Sequence, residues 1–465
     1  METTQKFKAD LDLLRKYNRP GPRYTSYPTA PHFHGGFGPD AFRSEILETN
    51  QPDDLGDLSL YFHFPFCRTL CHFCACNVII THNPKRIQQY LDYVKKEIAL
   101  ISEMVNPKRK VIQMHWGGGT PTYLTPEQIR DVSNFIHDHF NFAADAEISM
   151  EIDPRRLTPE HLPTIRDVGF NRVSFGVQDL NAQVQQIINR IQPYEQNEYV
   201  ITESQRLNYD SINVDLIYGL PYQTTASYAE TLDQIIGLSP DRLAVFNYAH
   251  VPWLKKHQKL LPEDAMPNAA ERLKILELII NRLTDAGYVY IGMDHFAKPD
   301  DELTIAMQER SLYRNFQGYS THSQAEVYAM GVTSISQLNN AYAQNTKTTK
   351  EYERMLDEGK LPTVLGYKLT RDDQIRRHVI TELMCNNRIL KKDVENRFQV
   401  DFDQYFLDIP AKLEEYLLDG LLVLEADRIE VNEAGRLVIR NIAMAFDAFL
   451  KTEEAPEKPI FSRTV

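Results

Sequence analysis

Short runs of β-forming residues alternate with amphipathic helical segments from about residue 59 of this 465-residue chain. A β-then-α repeat favours parallel strands joined by right-handed crossovers, so the predicted fold class is α/β. Six such units would make a partial (β/α)6 TIM-like barrel, and a doubly wound open sheet is the competing arrangement. In either case, ligands bind at the C-terminal ends of the strands. The predicted strands are 58–64, 111–116, 148–152, 172–177, 212–218, 242–248 and 288–293.

Helix start and stop signals lie between several of these strands. Thr125 begins a capping box with a proline at the first helical position, and Thr158 is followed by the same Pro-Glu pair. Residues 268–286 are predicted to form a long helix that ends at Gly287. These signals support the helical half of the repeat.

The pattern changes after about residue 365. Three helical segments and a hairpin follow, an order that resembles a winged-helix domain. From residue 371 onward there are 14 Lys or Arg and 19 Asp or Glu, a net charge of −5, which argues against DNA binding. We therefore expect three parts: an N-terminal arm (1–55), a barrel domain with added strands (56–365) and a mostly helical, winged-helix-like domain (366–465).

Charge and hydropathy exclude several classes of function. The net charge of −13 disfavours a general nucleic-acid binder, and no apolar run approaches the length of a membrane span. The first twenty residues carry mixed charge without an apolar core, so we expect no signal peptide. Five cysteines, four of them clustered, make a poor disulfide framework and favour the reducing cytoplasm.

The cysteine cluster comprises Cys67, Cys71, Cys74 and Cys76, and the remaining cysteine is Cys385. The first three have the spacing C-x3-C-x2-C and follow the first predicted strand, which places them at the ligand-binding end of the sheet. Thiolates suit zinc or an iron–sulfur cluster, but structural zinc usually draws on two separated ligand pairs. Three thiolates on one loop leave a fourth metal position open to a substrate or cofactor. Zinc and a redox thiol pair remain the alternatives.

The cysteine spacing, with the aromatic Phe73 before the last cysteine of the triplet, resembles the signature of radical S-adenosylmethionine enzymes. A glycine-rich stretch, 117–120, follows the second predicted strand. Three successive glycines let the backbone approach a ligand closely and point its N–H groups at it. The resemblance implies a [4Fe-4S] cluster on Cys67, Cys71 and Cys74 and a glycine loop that holds the amino group of S-adenosylmethionine.

Nearly the whole chain also resembles the oxygen-independent coproporphyrinogen III oxidases, or coproporphyrinogen dehydrogenases. This resemblance implies a radical S-adenosylmethionine barrel and an oxidoreductase that acts through a 5′-deoxyadenosyl radical. The enzyme would convert two propionate side chains of coproporphyrinogen III to vinyl groups, giving protoporphyrinogen IX for heme biosynthesis without oxygen. It further implies a monomer with an unidentified electron donor and acceptor. The matching segments are GPRYTSYPTA, CHFCACN, HWGGGTPTYL, EIDPR, FGVQD, NVDLIYGLP, VFNYAH, IGMDHFA, RNFQGYSTH and RLVIRNIAMAFD.

Further cofactor-binding residues are implied by the same resemblance. The guanidinium of Arg190 can hold a carboxylate in a bidentate fork, and Glu151 and Asp215 end predicted strands where a cationic ligand or ribose needs acceptors. The alternative for any one of them is an ordinary ion pair or strand cap. Contacts to the cluster-bound S-adenosylmethionine are implied for Tyr61, Gly118, Glu151 and Ile335. A second S-adenosylmethionine is implied beside Phe73, Gly119, Thr120, Gln178, Arg190, Asp215 and Ala249.

Cys76 lies outside the ligand set. The family has a cysteine here that is thought necessary for activity, so the resemblance implies a catalytic role. The hypothesis is a thiol that positions substrate or moves a proton or electron, and the alternative is a small buried apolar residue. Heme-binding chaperones of the same lineage share the triplet but lack this cysteine and the arm. Cys76 and the segment 21–30 therefore favour the oxidase.

Overall fold

The computed structural model describes residues 10–51, 55–323, 325–450 and 464. Residues 1–9, which begin the stretch where we expect no signal peptide, lie outside the described part of the chain. Within those ranges, no helix combines the length and the apolar composition that crossing a bilayer requires.

Strands and helices alternate through the first two thirds of the chain, as the repeat predicts. The strands are β1 (Leu58–Phe64), β2 (Phe66–Cys67), β3 (Ile79–Ile80), β4 (Val111–Gly118), β5 (Phe142–Ile152), β6 (Arg172–Gln178), β7 (Ser211–Tyr218), β8 (Arg242–Asn247), β9 (Val289–Gly292), β10 (His295–Ala297), β11 (Tyr313–Asn315), β12 (Gly318–Ser320), β13 (Glu326–Met330), β14 (Ile335–Gln337), β15 (Ala341–Asn345), β16 (Thr363–Lys368), β17 (Arg388–Leu390), β18 (Leu422–Leu424) and β19 (Arg428–Val431).

The α-helices lie mostly after the strands that they cover. They are α1 (Leu11–Tyr17), α2 (Pro39–Thr49), α3 (Pro84–Ser102), α4 (Pro126–His139), α5 (His161–Asp167), α6 (Ala182–Ile187), α7 (Tyr194–Arg206), α8 (Thr225–Leu238), α9 (Ala269–Asp285), α10 (Glu302–Glu309), α11 (Thr349–Asp357), α12 (Arg371–Asn386), α13 (Lys391–Phe398), α14 (Phe402–Tyr405), α15 (Ile409–Leu418), α16 (Glu433–Arg436) and α17 (Ile439–Ala443).

Twelve strands form one sheet, in the order β16-β15-β14-β13-β1-β4-β5-β6-β7-β8-β10-β9. Six neighbouring strands of this sheet are parallel, namely β1, β4, β5, β6, β7 and β8. Among these six, each pairs with the one that follows it along the chain. A doubly wound sheet would reverse its strand order at a switch point, and this one does not. The partial (β/α)6 barrel is therefore confirmed, with β13–β16 added at one side and β10 and β9 at the other.

The two faces of β6 show how the strands divide core from site. Val173 and Phe175 belong to the main hydrophobic core beneath the helices. Ser174, Gly176 and Gln178 line a cavity on the opposite face. Since side chains alternate along a strand, apolar and polar positions at every second residue place one set in the core and the other inside the barrel.

Local helix signals were mostly informative. Thr125 caps α4 in the predicted capping box, and Asn268 caps α9, which ends before Gly287 at φ +93°. The predicted helix entry at Thr158 is wrong, because α5 begins only at His161. The backbone N–H of Thr158 donates to Nδ1 of His161 at 2.9 Å, and the Thr158 hydroxyl lies 2.8 Å from the same atom. The hydroxyl is thus directed at the imidazole and does not cap the helix.

The described part of the arm packs onto the C-terminal helices, which surround the small sheet β17-β19-β18. Tyr17 stacks on Tyr416 with ring centroids 4.9 Å apart, and Tyr24 donates a hydrogen bond to Asp447 at 2.8 Å. Both arm tyrosines belong to the hydrophobic core of the C-terminal helices, which is separate from the barrel core. The arm also reaches the sheet, where Arg23 pairs with the carboxylate in the β9–β10 turn.

Candidate active site

The cysteine loop follows β1 and lies at the C-terminal edge of the barrel, as predicted. Its start is fixed by β2 and β3, which pair in parallel. The backbone N–H of His72 donates to the carbonyl of Ile188 at 2.9 Å, and the side-chain amide of Asn189 donates to the carbonyl of Leu70 at 2.8 Å. All cysteines of the described chain are free thiols. The loop is thus held by its neighbours and not by disulfides.

A second loop, between β8 and α9, binds the far side of the cysteine loop through backbone carbonyls. Gln258 donates its amide to the carbonyl of Phe73 at 2.9 Å, and Nε2 of His257 lies 2.7 Å from the carbonyl of Cys74. Lys255 donates Nζ to the carbonyl of Cys76 at 3.0 Å. These contacts fix the turn that carries the last two cysteines of the cluster.

Most of the predicted site residues line one cavity of about 230 Å³ at this edge. It lies between the cysteine loop, the glycine loop after β4 and the ends of β5, β6 and β7. This is the ligand-binding end of a parallel barrel. The predicted residues that line it are Cys67, Cys71, Phe73, Cys74, Cys76, Gly118, Gly119, Thr120, Glu151, Gln178, Arg190 and Asp215.

Three predicted residues lie outside this cavity. Tyr61 lies on β1, with its hydroxyl 3.2 Å from Nδ1 of His63. Ala249 lines a larger cavity of about 490 Å³ between α9, the arm and the C-terminal helices, which contains none of the cysteines. Ile335 begins β14 and packs against a small hydrophobic cluster around Tyr342. Burial raises the pKa of Tyr61, which nevertheless lies close enough to Glu151 and Cys76 for their charges to raise it further. Gln258 donates to the carbonyls of both Ala249 and Phe73.

The glycine loop needs glycine at two positions for different reasons. Gly118 has φ +116°, in the left-handed region that side chains disfavour. A Cβ atom on Gly119 would lie 2.6 Å from the backbone of Pro65, because the loop passes closely over the end of β1. The hydroxyl of Thr120 lies 3.3 Å from Sγ of Cys67. The loop thus brings its backbone up to the thiols.

Two carboxyl groups with opposite pKa shifts share the cavity. For Glu151 the enclosed position opposes ionisation, but His115 and the backbone N–H of Gly118 (3.1 Å) outweigh it and hold the pKa below its usual range. Burial and the nearby Glu151 charge raise the pKa of Asp215 to about 7, although Asn213 donates to it at 2.8 Å. The cavity therefore holds one fixed negative charge and one that changes near neutral pH.

Arg190 and Arg155 form a charged group beside Cys71. Both pair with Asp153, at 3.2 and 2.7 Å, and together they outweigh its burial and lower its pKa to about 2. Nη2 of Arg155 lies 3.5 Å from Sγ of Cys71, and Nη1 of Arg190 lies 3.7 Å from it. Nε of Arg190 is buried and makes no hydrogen bond to the described residues. One guanidinium donor thus remains for the acceptor of a ligand.

The thiol arrangement distinguishes between kinds of metal site. Within the described ranges, no three His, Cys, Asp or Glu side chains converge on one point as the ligands of a single ion do. Structural zinc holds its thiolates about 2.3 Å from one centre. An iron–sulfur cluster spreads its ligands, because each thiolate binds a different iron. Cys67, Cys71 and Cys74 therefore fit a multi-iron cluster with one iron free of protein thiolate.

The remaining groups fit S-adenosylmethionine, which carries a carboxylate, an ammonium and a sulfonium. The free guanidinium donor of Arg190 suits the carboxylate, and the carboxyl groups of Glu151 and Asp215 suit the positive charges. The individual roles of the predicted residues stay predictions.

Several cavity residues were not singled out from the sequence. Asp153 and Arg155 lie in the EIDPR segment, and Ser174 donates to Asp215 at 3.3 Å. The signal for the first two was an Asp-Pro-Arg turn directly after a predicted strand, which places charged side chains at the strand ends. Lys255 and His257 carried no such signal, because they reach the cysteine loop only through its backbone carbonyls.

Comparisons with known proteins agree with this site. The model of the Radical SAM superfamily matches residues 61–235, and that of the HemN C-terminal domain matches residues 369–438. The oxygen-independent coproporphyrinogen III oxidase of Synechocystis sp. is 47% identical over 466 residues, which is 99% of each chain. The protein of the same name from Escherichia coli (strain K12) is 43% identical over 463 residues, which is 100% of both.

A solved structure shows the same fold over nearly the full length. It is described as coproporphyrinogen III oxidase (HemN) from Escherichia coli, a radical SAM enzyme. It has a TM-score of 0.91 and 43% sequence identity to this chain, and the match covers 96% of this chain and 100% of that one. The chain therefore belongs to the oxygen-independent coproporphyrinogen III oxidase family of radical SAM enzymes.

Proposed function

We propose that this chain is an oxidoreductase that converts two propionate side chains of coproporphyrinogen III to vinyl groups without oxygen. The product is protoporphyrinogen IX, in heme biosynthesis. The observation that carries the proposal is one cavity in which the cysteine triplet, the glycine loop and the Glu151, Asp215 and Arg190 side chains meet. The full-length similarity to enzymes named for this reaction supports it.

The cofactors are a [4Fe-4S] cluster and S-adenosylmethionine. Cys67, Cys71 and Cys74 would hold the cluster, and the glycine loop with Glu151 and Arg190 would hold S-adenosylmethionine. When bound and supplied with an electron, the two groups would supply the 5′-deoxyadenosyl radical chemistry that removes a hydrogen atom from the β-carbon of a propionate. The matched residues near the second site support a second S-adenosylmethionine molecule.

The side chains of this cavity bind and orient the ligands and shield them from water. Arg190 fixes a carboxylate, while Glu151 and the ionised form of Asp215 attract a cationic ligand in a site where charges are weakly screened. The cysteine and glycine loops cover the strand ends and limit the access of water to the reacting atoms. Cys76 is exposed and lines the same cavity as Cys74. Its role is to position the reactants or to pass a proton.

Several finer points belong to the same proposal. The division into an arm (1–55), a barrel (56–365) and a C-terminal domain (366–465) is supported at its last boundary by the match of the HemN C-terminal domain model to residues 369–438. The core of the C-terminal helices also takes in residues of the arm and of β9 and β10. Parts of the outer two segments lie outside the described residues. A monomeric state, a cytoplasmic location, and a separate electron donor and acceptor follow from the family resemblance.

The test is an anaerobic assay of the reconstituted protein with coproporphyrinogen III, S-adenosylmethionine and a chemical reductant. We expect carbon dioxide, 5′-deoxyadenosine and protoporphyrinogen IX. An intact cluster that yields no 5′-deoxyadenosine would contradict the mechanism. Stoichiometric heme binding without loss of coproporphyrinogen would instead indicate a heme-binding chaperone.

A further inference from the structure

The loop between β8 and α9 exposes large apolar side chains beside the cysteine loop. Trp253 is 43% exposed, Leu254 69% and Leu260 61%. Clustered exposed apolar residues of this size, bordered by polar ones, typically mark a surface that another molecule covers. We call residues 253–260 the docking loop.

The docking loop is also basic, on a protein whose net charge is −13. It contains three lysines and no Asp or Glu. The stretch 58–91, which includes the cysteine loop, likewise has no acidic residue. The next acidic residues after the docking loop are the exposed pair Glu263 and Asp264, of which Glu263 pairs with His250 at 3.0 Å. This face is thus locally positive, which suits an acidic partner.

The docking loop contacts the turn that carries the cysteines. Lys255 and His257 bind the backbone carbonyls of Cys76 and Cys74, as described above. A molecule seated on Trp253 would therefore be one loop away from the thiols. This surface differs from an ordinary exposed apolar patch because it lies next to the cysteine loop, whose cluster must accept an electron.

We propose that the docking loop binds an acidic one-electron carrier protein that reduces the cluster. The inference rests on the proposed function, which requires the cluster to be reduced. The carrier gives one electron to the cluster and leaves in its oxidised form, so no other reactant is needed. Exposed Trp253 and Leu254 would anchor the contact, and Lys256 and Lys259 would steer the approach.

The test compares rates of cluster reduction. The probe is flavodoxin hydroquinone, an acidic flavoprotein, mixed anaerobically with the reconstituted enzyme in a stopped-flow instrument. For the wild type, we expect the second-order rate constant to fall as salt rises from about 50 mM to about 300 mM. The double variant Lys256→Glu/Lys259→Glu should reduce the low-salt rate constant about tenfold or more and remove most of its salt dependence.

A matched control changes the same charge elsewhere. Lys108 and Lys110 are exposed and lie before β4, at the opposite edge of the sheet. The variant Lys108→Glu/Lys110→Glu should keep the wild-type rate constant within about twofold, because it has the same net charge but an intact docking loop. Trp253→Ala should slow reduction without changing the salt dependence. If both double variants slowed cluster reduction equally, the net charge of the protein would explain the effect and the inference would be overturned.

A neutral small reductant separates this inference from the proposed function. Photoreduced deazaflavin should reduce the cluster and support turnover equally in the wild type and both double variants. Absence of turnover with deazaflavin in the wild type would contradict the proposed function itself. Suppose that turnover with deazaflavin is normal and that flavodoxin reduces the Lys256→Glu/Lys259→Glu variant as fast as the wild type. This result would overturn only the docking inference. If those same variants instead lost binding to anionic phosphatidylglycerol vesicles, the docking loop would be a membrane-binding surface.

Discussion

Arg155 places Nη2 of its guanidinium 3.5 Å from Sγ of Cys71. The pair joins a residue of the β5 strand end to the middle cysteine of the triplet. A positive charge at this distance stabilises the more negative, reduced form of a cluster held by that sulfur. With a cluster on Cys71, Arg155 would therefore act on electron transfer through its charge, without being a ligand.

Replacing Arg155 with Gln should lower the midpoint potential of the cluster by about 30–60 mV, given that about 59 mV corresponds to a tenfold change for one electron. The change is limited because Asp153 already neutralises part of the charge. A potentiometric titration followed by electron paramagnetic resonance measures it. Arg156→Gln is the control, since Arg156 is exposed and adjacent in sequence. Equal potentials for Arg155→Gln and the wild type would contradict the prediction.

Replacing Arg190 with Lys should weaken S-adenosylmethionine binding by about 10–100-fold, because an ammonium cannot hold both Asp153 and the Gly176 carbonyl and also keep the buried Nε donor. The dissociation constant by equilibrium dialysis measures this effect. The iron content should not change. Arg206→Lys, on an exposed helix where Arg206 pairs only locally with Glu203, should bind as the wild type does. An unchanged dissociation constant for Arg190→Lys would remove this residue from the binding site.

Binding of S-adenosylmethionine should strengthen as pH rises through about 7. The pKa of Asp215 is raised to about 7, so this carboxyl is neutral below that pH and negative above it. The added negative charge attracts the cationic cofactor, by about fivefold or more between pH 6 and pH 8. Asp215→Asn should remove this pH dependence and bind like the wild type at low pH. The same pH dependence in the variant would assign the titration to another group.

Cys76→Ser should keep its iron and its iron–sulfur absorbance while losing most turnover. The reason is that Cys76 lies outside the ligand triplet but its thiol contacts Cys74. Cys74→Ser, in contrast, should lose iron, because a cluster thiolate is removed. Iron analysis and product formation distinguish the two. Loss of iron in Cys76→Ser would show that the ligand set is wrong.

Glu97→Gln should destabilise the fold by about 1–3 kcal/mol. The buried Glu97 carboxylate accepts hydrogen bonds from the backbone of Gly331 at 2.8 Å, from Asn345 at 2.7 Å and from the Tyr352 hydroxyl. All three partners donate, so the new amide N–H₂ would face a donor without an acceptor. Thermal unfolding measures the loss. Glu103→Gln, at an exposed position, should leave the melting temperature unchanged.

Much of the barrel could be predicted from the sequence, because burial and strand spacing leave a local pattern. The first strand was predicted with its observed bounds, β1 (Leu58–Phe64). The strand β5 begins at Phe142, before the predicted residue 148, because Ala144 and Asp145 are exposed and this stretch lacks apolar alternation. The pairing of β4 with β5 skips from Phe142 to Glu147. Such an irregularity depends on the neighbouring strand and leaves no local signal.

The site was predictable where function fixes residue type and spacing. The cysteine triplet and the glycine loop each carry a motif, and both line the cavity. The contacts of Lys255 and His257 to backbone carbonyls could not be predicted, because a carbonyl exists at every residue. The position of Ile335 outside the lining of the thiol cavity depends on how β13–β16 extend the sheet, and no local sequence pattern indicates this.

The arm and the C-terminal helices share one core, in which Tyr17 and Tyr24 are buried. Arg23 ties the same arm to the edge where the parallel strands end. Lifting the arm alone would expose its aromatic rings to water. The arm and the C-terminal helices therefore depend on each other for burial, and an arm truncation would expose apolar side chains of the C-terminal helices to water.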